Sequence, residues 1–327
     1  MPKSDVTDFL FITANDIHIS DVSPRSRTDD FKKAILEKIH QMCLACNKLK
    51  ADAALIAGDL FNHKNPIKNS HSLVRELIEA FKEFKCPVYM IEGNHDLSAN
   101  RLESVDEQPL GVLFESGYLR QLREKIIEKN GKKVSLIGVP YCEGQDPSKL
   151  TLPGKKDCVS QICLMHIYAA PIPGSLFKES IHGYREFMGL EPDIFVLGHY
   201  HLDQGITEQD GKHFVNIGSL SRGTMTDENL NHEPQIGYIR ISVGVDGPTY
   251  MVQSIKLKVR PSAEIFDLQK REEEKKESQE IEQFVDKLMA EPVVKAEDAT
   301  FKDVLEGMDL TQAVKKKVLH YLEEAKK

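Results

Sequence analysis

The chain has 327 residues, enough for one large α/β domain with an appendage or for two ordinary domains. Hydrophobic residues at 40% and charged ones at 29% describe a soluble globular protein, and no apolar run approaches the length of a membrane span. A net charge of −8 argues against a charge-driven nucleic-acid binder, yet carboxylates gathered round cations lose their negative field, so a nucleic-acid substrate stays open.

Acidic residues interrupt the N-terminus before Phe9, unlike a secretory signal. The expectation is a cytoplasmic protein without membrane contact, in the host cytoplasm if the chain is phage-encoded. Residues 9–13 read as a first buried strand that ends at Asn15-Asp16-Ile17-His18. Thr28-Asp29-Asp30 can cap a helix with Phe31, Ile35, Ile39, Met42 and Leu49 on one face. Cys43 and Cys46 in that helix have CxxC spacing without a second pair nearby, which suits buried thiols better than zinc or redox chemistry. Residues 53–57 form a second strand, ending at Gly58-Asp59. A helix around Leu73, Leu77, Ile78 and Phe81 leads to a third, at 88–91, which stops at Gly93-Asn94-His95-Asp96. This alternation predicts a sheet with helices on its faces and a site in the loops beyond the strand C-termini.

The middle of the chain is less regular. Asn130-Gly131 closes a predicted hairpin, and strands at 159–165 and 193–197 end at His166 and at Gly198-His199-Tyr200-His201. Further hairpins turn at Asp210-Gly211 and Asp246-Gly247. The second half therefore reads as a mostly antiparallel layer, and the architecture as two sheets packed face to face with helices outside. Residues 1–260 form this domain and 261–280 a charged linker. At 281–327, apolar stripes at helical spacing describe a small helical module. That module either packs on the domain or grips a partner helix; the pattern leaves both open.

Five segments share one feature, a β-like run ending in metal-binding side chains: Asp16-x-His18, Gly58-Asp59, Asn94-His95-Asp96, His166 and His199-x-His201. Each alone is weak, since a lone Gly-Asp is usually a turn. Together they can build two metal sites sharing one carboxylate. Side chains two apart point the same way in extended backbone, so Asp16 and His18 can chelate one ion as the strand runs out. Mixed imidazole and carboxylate ligands suit manganese, iron or zinc. Two such ions can activate a hydroxide and polarise a phosphoryl oxygen. The scheme requires Asp59 to lie within about 8 Å of both His166 and His201, the reach of a shared coordination sphere.

The order D-x-H, GD, GNHD, H, GH-x-H resembles the calcineurin-like metallophosphoesterase superfamily. The resemblance implies a β-sandwich with flanking helices and two divalent ions, manganese first among them. It assigns Asp16, His18 and His201 to one ion, Asn94, His166 and His199 to the other, and Asp59 to both. It makes His95 the acid that assists the leaving oxygen, held by Asp96. Within the superfamily the chain is similar to SbcD-type nuclease subunits of DNA double-strand-break repair, through Gly58-Asp59-Leu60-Phe61 followed by Pro66, Asn216-Ile217-Gly218-Ser219-Leu220-Ser221-Arg222, and Lys258-Val259-Arg260-Pro261. That likeness implies exonuclease and endonuclease activity on DNA, an SbcC-like SMC-type ATPase bound through the C-terminal helices, and a homodimer. Asn15 and Ile17 depart from the usual pattern, and little chain remains after Pro261 for a DNA-capping domain. Of the loop residues, Arg25, Arg27, His63 and Arg222 are candidate substrate contacts. Rival readings are a phosphodiesterase for small nucleotides, a phosphomonoesterase, or a non-catalytic metal scaffold, which the intact His95 argues against.

Overall fold

β1 (Thr7–Ala14) is buried over most of its length, and a strand wet on neither face needs paired neighbours on both sides. It pairs in parallel with β2 (Ala53–Ile56) and antiparallel with a strand from the far end of the domain. In the computed structural model, residues 6–176, 179–273, 275, 276, 279 and 315 are described.

Between β1 and β2 runs α1 (Phe31–Leu49). Asp30 caps it by accepting from Lys33 N, and Lys50 ends it in the left-handed conformation. Phe31, Ile35, Ile39 and Met42 are buried as their spacing predicts, while Leu49 is exposed. Cys43 and Cys46 are buried free thiols. α2 (His71–Lys82), capped by Ser70, buries Leu73, Leu77 and Phe81 and leads into β3 (Val88–Met90). α3 (Pro109–Glu115) and β4 (Leu119–Gln121) follow. α1, α2 and α3 pack their apolar faces on one side of this sheet.

β5 (Glu124–Lys129) and β6 (Lys132–Val139) form the first expected hairpin; Asn130 and Gly131 both take positive φ, as a two-residue turn of this twist requires. β7 (Ser160–His166), β8 (Ala169–Ala170), β9 (Gly174–Leu176), β10 (Glu179–Gly183) and β11 (Ile194–Gly198) follow. β12 (Gly205–Gln209) and β13 (Lys212–Asn216) turn at Asp210-Gly211. After α4 (Asp227–Asn231) come β14 (Gln235–Gly244) and β15 (Gly247–Lys256), whose register puts the turn at Val245-Asp246, one residue earlier than expected.

The first sheet has the order β15-β14-β1-β2-β3-β4, the second β12-β13-β11-β7-β6-β5, and β8-β10-β9 make a small third. The second sheet corrects the expectation of an antiparallel layer. Its central strands β6, β7, β11 and β13 pair in parallel, and only the edge strands β5 and β12 run antiparallel. The connections between them are irregular, so no helical periodicity signalled a crossover.

Phe9, Phe11, Leu55, Ile91, Leu136, Leu164, Val196 and Ile241 fill the space between the two large sheets. On the far side of the second sheet, Phe195, Phe214 and Tyr184 form a stacked column. Burial on both faces makes the central strands near-continuous apolar runs, so their first polar residues fall beyond the core, at the strand tips.

Chain contacts divide the protein into Met1–Ile265 and Phe266–Lys327. In the second unit, Asp267 accepts from Lys270 N at 3.0 Å. The helices expected after Ile281, and the ATPase contact assigned to them, lie outside the described residues. Among the described residues, no helix is long and apolar enough to cross a membrane.

Candidate metal centre

The motif residues leave five neighbouring strand ends, and the backbone bends sharply as they do. Asp16, His18, Asp59 and His199 all have positive φ, of 49°, 49°, 52° and 85°. L-residues adopt this region at a cost of about 1 kcal/mol or more, so the surrounding structure must hold them there. Asp16 and His18 therefore converge through two left-handed turns after β1, not through the pleat of an extended strand; this corrects the sequence argument. The held bonds are visible. His199 N donates to Asp16 Oδ1 (2.9 Å), Ser219 Oγ to the Asp16 carbonyl (2.7 Å), and His18 N to the Asp59 carbonyl (3.0 Å).

Two glycines make the close approach feasible. A Cβ on Gly93 would sit 2.1 Å from Asp59 Oδ1, and one on Gly198 would meet the Ala57 carbonyl at 2.0 Å. Both positions require a residue without a side chain.

Two groups of ligand-type atoms result, each lying within 4.8 Å of one another: Asp16, His18, Asp59 and His201, and Asp59, His166 and His199. Asp59 is common to both. His18 Nε2 and His201 Nε2 face each other at 2.9 Å. Asp59 Oδ2 lies 3.5 Å from His18 Nε2 and 3.3 Å from His166 Nε2. Asn94 Oδ1 is 3.3 Å from His166 Nε2, which brings it to the second group. The Ala57 carbonyl takes a 2.8 Å hydrogen bond from His166 Nδ1, leaving Nε2 turned toward Asp59.

Asp16 Oδ2 and Asp59 Oδ2 are buried without a hydrogen-bond partner. Buried carboxylate oxygens are not normally left so. Oxygen and imidazole donors of this kind fit divalent manganese, iron or zinc. The electrostatics divide the ligand set. Burial and then His201 hold the His18 pKa well below its ordinary value, and burial and then His166 bring that of His199 down to about 2. For His166, burial acts downward, but the Asp59 carboxylate prevails and lifts it to about 9. Burial raises Asp16, whereas in Asp59 the neighbouring His166 and His18 overcome burial and hold it well below the carboxylate range. His18 and His199 are thus held as neutral imidazoles and Asp59 as a carboxylate, the states that bind cations, whereas His166 and Asp16 release protons when a cation enters.

The His95 ring stands edge-on to His18, with centroids 4.8 Å apart. Its Nδ1 is 2.9 Å from the Asn62 carbonyl, and its N–H donates to Asp59 Oδ1 (2.7 Å). Asp96 does not hold this ring. It is buried and accepts from the N–H groups of Gly93, Leu60 and Phe61, tying the third strand end to the second. Burial, followed by the Asp59 charge, pushes its pKa up to about 8.

The four loop candidates separate. Arg25 is exposed. His63 is partly buried, and its carbonyl accepts from Asn69 Nδ2 at 3.0 Å. Arg27 and Arg222 are buried on the α1 side. Arg27 pairs with Asp29 through two hydrogen bonds and donates to the Arg222 carbonyl, while Arg222 donates to Ser262 Oγ and the Arg260 carbonyl. Both guanidiniums hold loops together, which corrects their reading as open phosphate contacts.

Sequence reasoning missed one wall of the site. A cleft of about 430 Å³ opens beside His166 and His199, lined also by Tyr141, Glu143, Tyr168 and Glu179. Tyr168 packs on His199 at 3.9 Å between centroids, and Tyr141 at 5.2 Å. Tyr168 falls two residues after a motif histidine, a signal that was present; Glu179 sits in a short hairpin that carries none.

Residues 9–214 match the family model for calcineurin-like phosphoesterases. A Bacillus subtilis protein, the uncharacterized metallophosphoesterase YhaO, is 29% identical over 145 residues, 42% of this chain and 34% of that protein. The chain thus spans about a third of this relative's length. A Staphylococcus aureus structure described as a 5′-nucleotidase superposes with a TM-score of 0.53 at 15% identity, covering 78% of this chain and 55% of that one. A dimetal phosphatase structure from Danio rerio gives 0.45 at 9% identity over 77% of this chain and 99% of its own. With the motif order and the shared carboxylate in place, the chain belongs to the calcineurin-like phosphoesterase family.

Proposed function

We propose that this chain is a two-metal phosphodiesterase that cuts DNA as an exonuclease and endonuclease, working with an SMC-type ATPase. The observation that carries the phosphodiesterase reading is Asp59, common to both ligand groups. Asp16, His18, Asp59 and His201 would hold one divalent ion, manganese being the first to test, and Asp59, Asn94, His166 and His199 the other. When bound, the pair supplies Lewis acidity at a phosphoryl oxygen and an activated water. The rest is the work of the chain. Asp59 fixes the separation of the two sites, and the Ala57 carbonyl keeps His166 Nε2 directed at it. The Asn62 carbonyl orients the His95 ring through Nδ1, leaving Nε2 to give a proton to the departing sugar oxygen.

DNA as substrate is supported by the SbcD-like segments. Two of them, residues 216–222 and 258–261, meet through the Arg222–Arg260 hydrogen bond, so the likeness has a spatial counterpart. The ATPase would be bound through the helices after Ile281, and a homodimer would present two such sites. A second reading, a phosphodiesterase for small nucleotides, is favoured by the cleft itself. It has the size of a small ligand and carries Glu143, Asp146 and Glu179, a wall that repels a polyanion.

Manganese-loaded protein assayed on a small aryl phosphodiester and on linear single- and double-stranded DNA, with and without ATP and a coiled-coil ATPase, separates these readings. Turnover of the diester alone, with DNA intact in every mixture, overturns the nuclease. In the same assay His95→Ala is expected to lower kcat about 10²- to 10⁴-fold while two ions remain bound; wild-type turnover would remove His95 from the chemistry.

A further inference from the structure

We propose that Glu179 is a built-in competitor for the phosphoryl position of the metal centre; this rests on the two-metal reading above. Glu179 Oε2 lies 3.1 Å from Nε2 of His199, a residue of the second ligand group. It is the first residue of β10, in the small sheet that belongs to neither large one, and so arrives from outside the five motifs. Its strand is anchored by pairing His182 with Ala169 and Gly183 with Ala170 on β8, and Glu179 itself pairs with Leu176 on β9. The hairpin thus delivers a carboxylate into the mouth of the cleft where a ligand would approach His166 and His199.

Exposure distinguishes it from the ligand set. The Glu179 side chain is 48% exposed, against 6% for His199 and none for Asp59 and His166. A carboxylate half in water swings out without uncovering apolar surface, whereas the buried ligands are fixed. Burial and then Glu143 disfavour the charged carboxylate where it stands, while Lys64 and His166 attract it. Charge count points the same way. Two divalent ions exceed the combined charge of Asp16 and Asp59, leaving a positive centre that one monoanion partly neutralises. A phosphodiester is a monoanion, and so is Glu179. The side chain, in contact with His199 at the mouth of the cleft, therefore competes for the anion position beside the second ligand group, and substrate must displace it.

Titration calorimetry of manganese into wild-type protein, Glu179→Gln and Glu179→Ala, followed by inorganic phosphate into each loaded protein, tests this. The expected signature is two changes of opposite sign. Both variants bind inorganic phosphate about tenfold more tightly, the factor removed with an internal competitor seated in about nine of ten molecules. Both bind the second manganese more weakly, having lost a carboxylate. Glu143→Gln, which removes a charge from the same wall without the His199 contact, changes phosphate affinity less than about twofold. Unchanged or weakened phosphate binding in the Glu179 variants overturns the proposal, as does an equal gain in Glu143→Gln. Failure of wild-type protein to bind two manganese ions overturns the metal-centre reading itself, a result visible before phosphate is added.

Discussion

Two clusters of buried polar side chains lie in this fold, and they are solved in opposite ways. On the α1 side, Lys38 donates to the Leu220 carbonyl at 2.7 Å, Arg27 to the Arg222 carbonyl and Arg222 to the Arg260 carbonyl. Only Arg222 Nε there is without a hydrogen-bond partner. At the strand tips, Asp16 Oδ2 and Asp59 Oδ2 are left unsatisfied. The first cluster is satisfied by protein at every one of these atoms but Arg222 Nε. The second becomes complete only when something else enters, and that contrast is the physical argument for cations. Buried polar groups close their own hydrogen bonds unless a ligand is expected to do so.

Substitutions at three positions test the contrast, in descending order of effect. Asp59→Asn should lower the bound-metal count below two and reduce hydrolysis of a small phosphodiester by at least about 10³-fold, the scale of losing a preorganised electrostatic group. Retention of two ions in the asparagine variant, read by metal analysis, would break the bridging assignment. Asp96→Ala should destabilise the fold by about 3 kcal/mol or more, because three N–H groups at 3.0–3.3 Å lose their acceptor, whereas Asp96→Asn keeps one oxygen and costs less. Urea unfolding of both variants checks the order; equal stabilities would mean Asp96 does not tie the strand ends.

The smallest effect, read per pH unit, concerns Lys38. Burial, then Arg222 and Arg27, lowers the Lys38 pKa from 10.5 to about 7. Between pH 7 and 10.5 the unfolded chain holds a proton on Lys38 that the folded chain gives up. This contribution to stability is therefore full above pH 10.5 and is lost as pH falls to 7. The stability of wild-type protein relative to Lys38→Met should rise with pH across that window by roughly 1 kcal/mol per unit at its steepest. A pH-independent difference would show that Lys38 is as well served when charged as when neutral.

The strand tips were legible because the chemistry dictates them. A run buried on both faces, such as residues 53–57, must end in its first polar residue, and ligands at five such ends leave a trace in order and spacing. The conformations at those ends were not legible. Nothing in the string Asn15-Asp16-Ile17-His18 shows that two of its residues take positive φ. The parallel pairing of β7, β11 and β13 was hidden because their connections carry no helical period. Asp96 was misassigned because its adjacency to His95 suggested a side-chain partner, while its carboxylate turns back to three amides. Arg27 and Arg222 look alike in sequence whether they meet a phosphate or a carbonyl; only burial distinguishes the two. The helices after Ile281 were read from periodicity alone and remain an expectation.

The left-handed backbone at Asp16, His18, Asp59 and His199 has an evolutionary corollary. Glycine adopts such angles without the clash a side chain meets, so replacing Asp16 or His18 by glycine ought to relieve local tension even as it removes a metal contact. Lineages in which catalysis is no longer selected should drift toward glycine or asparagine at these positions, becoming inactive yet no less sturdy. At all four positions this chain carries an acid or an imidazole where its backbone would favour glycine.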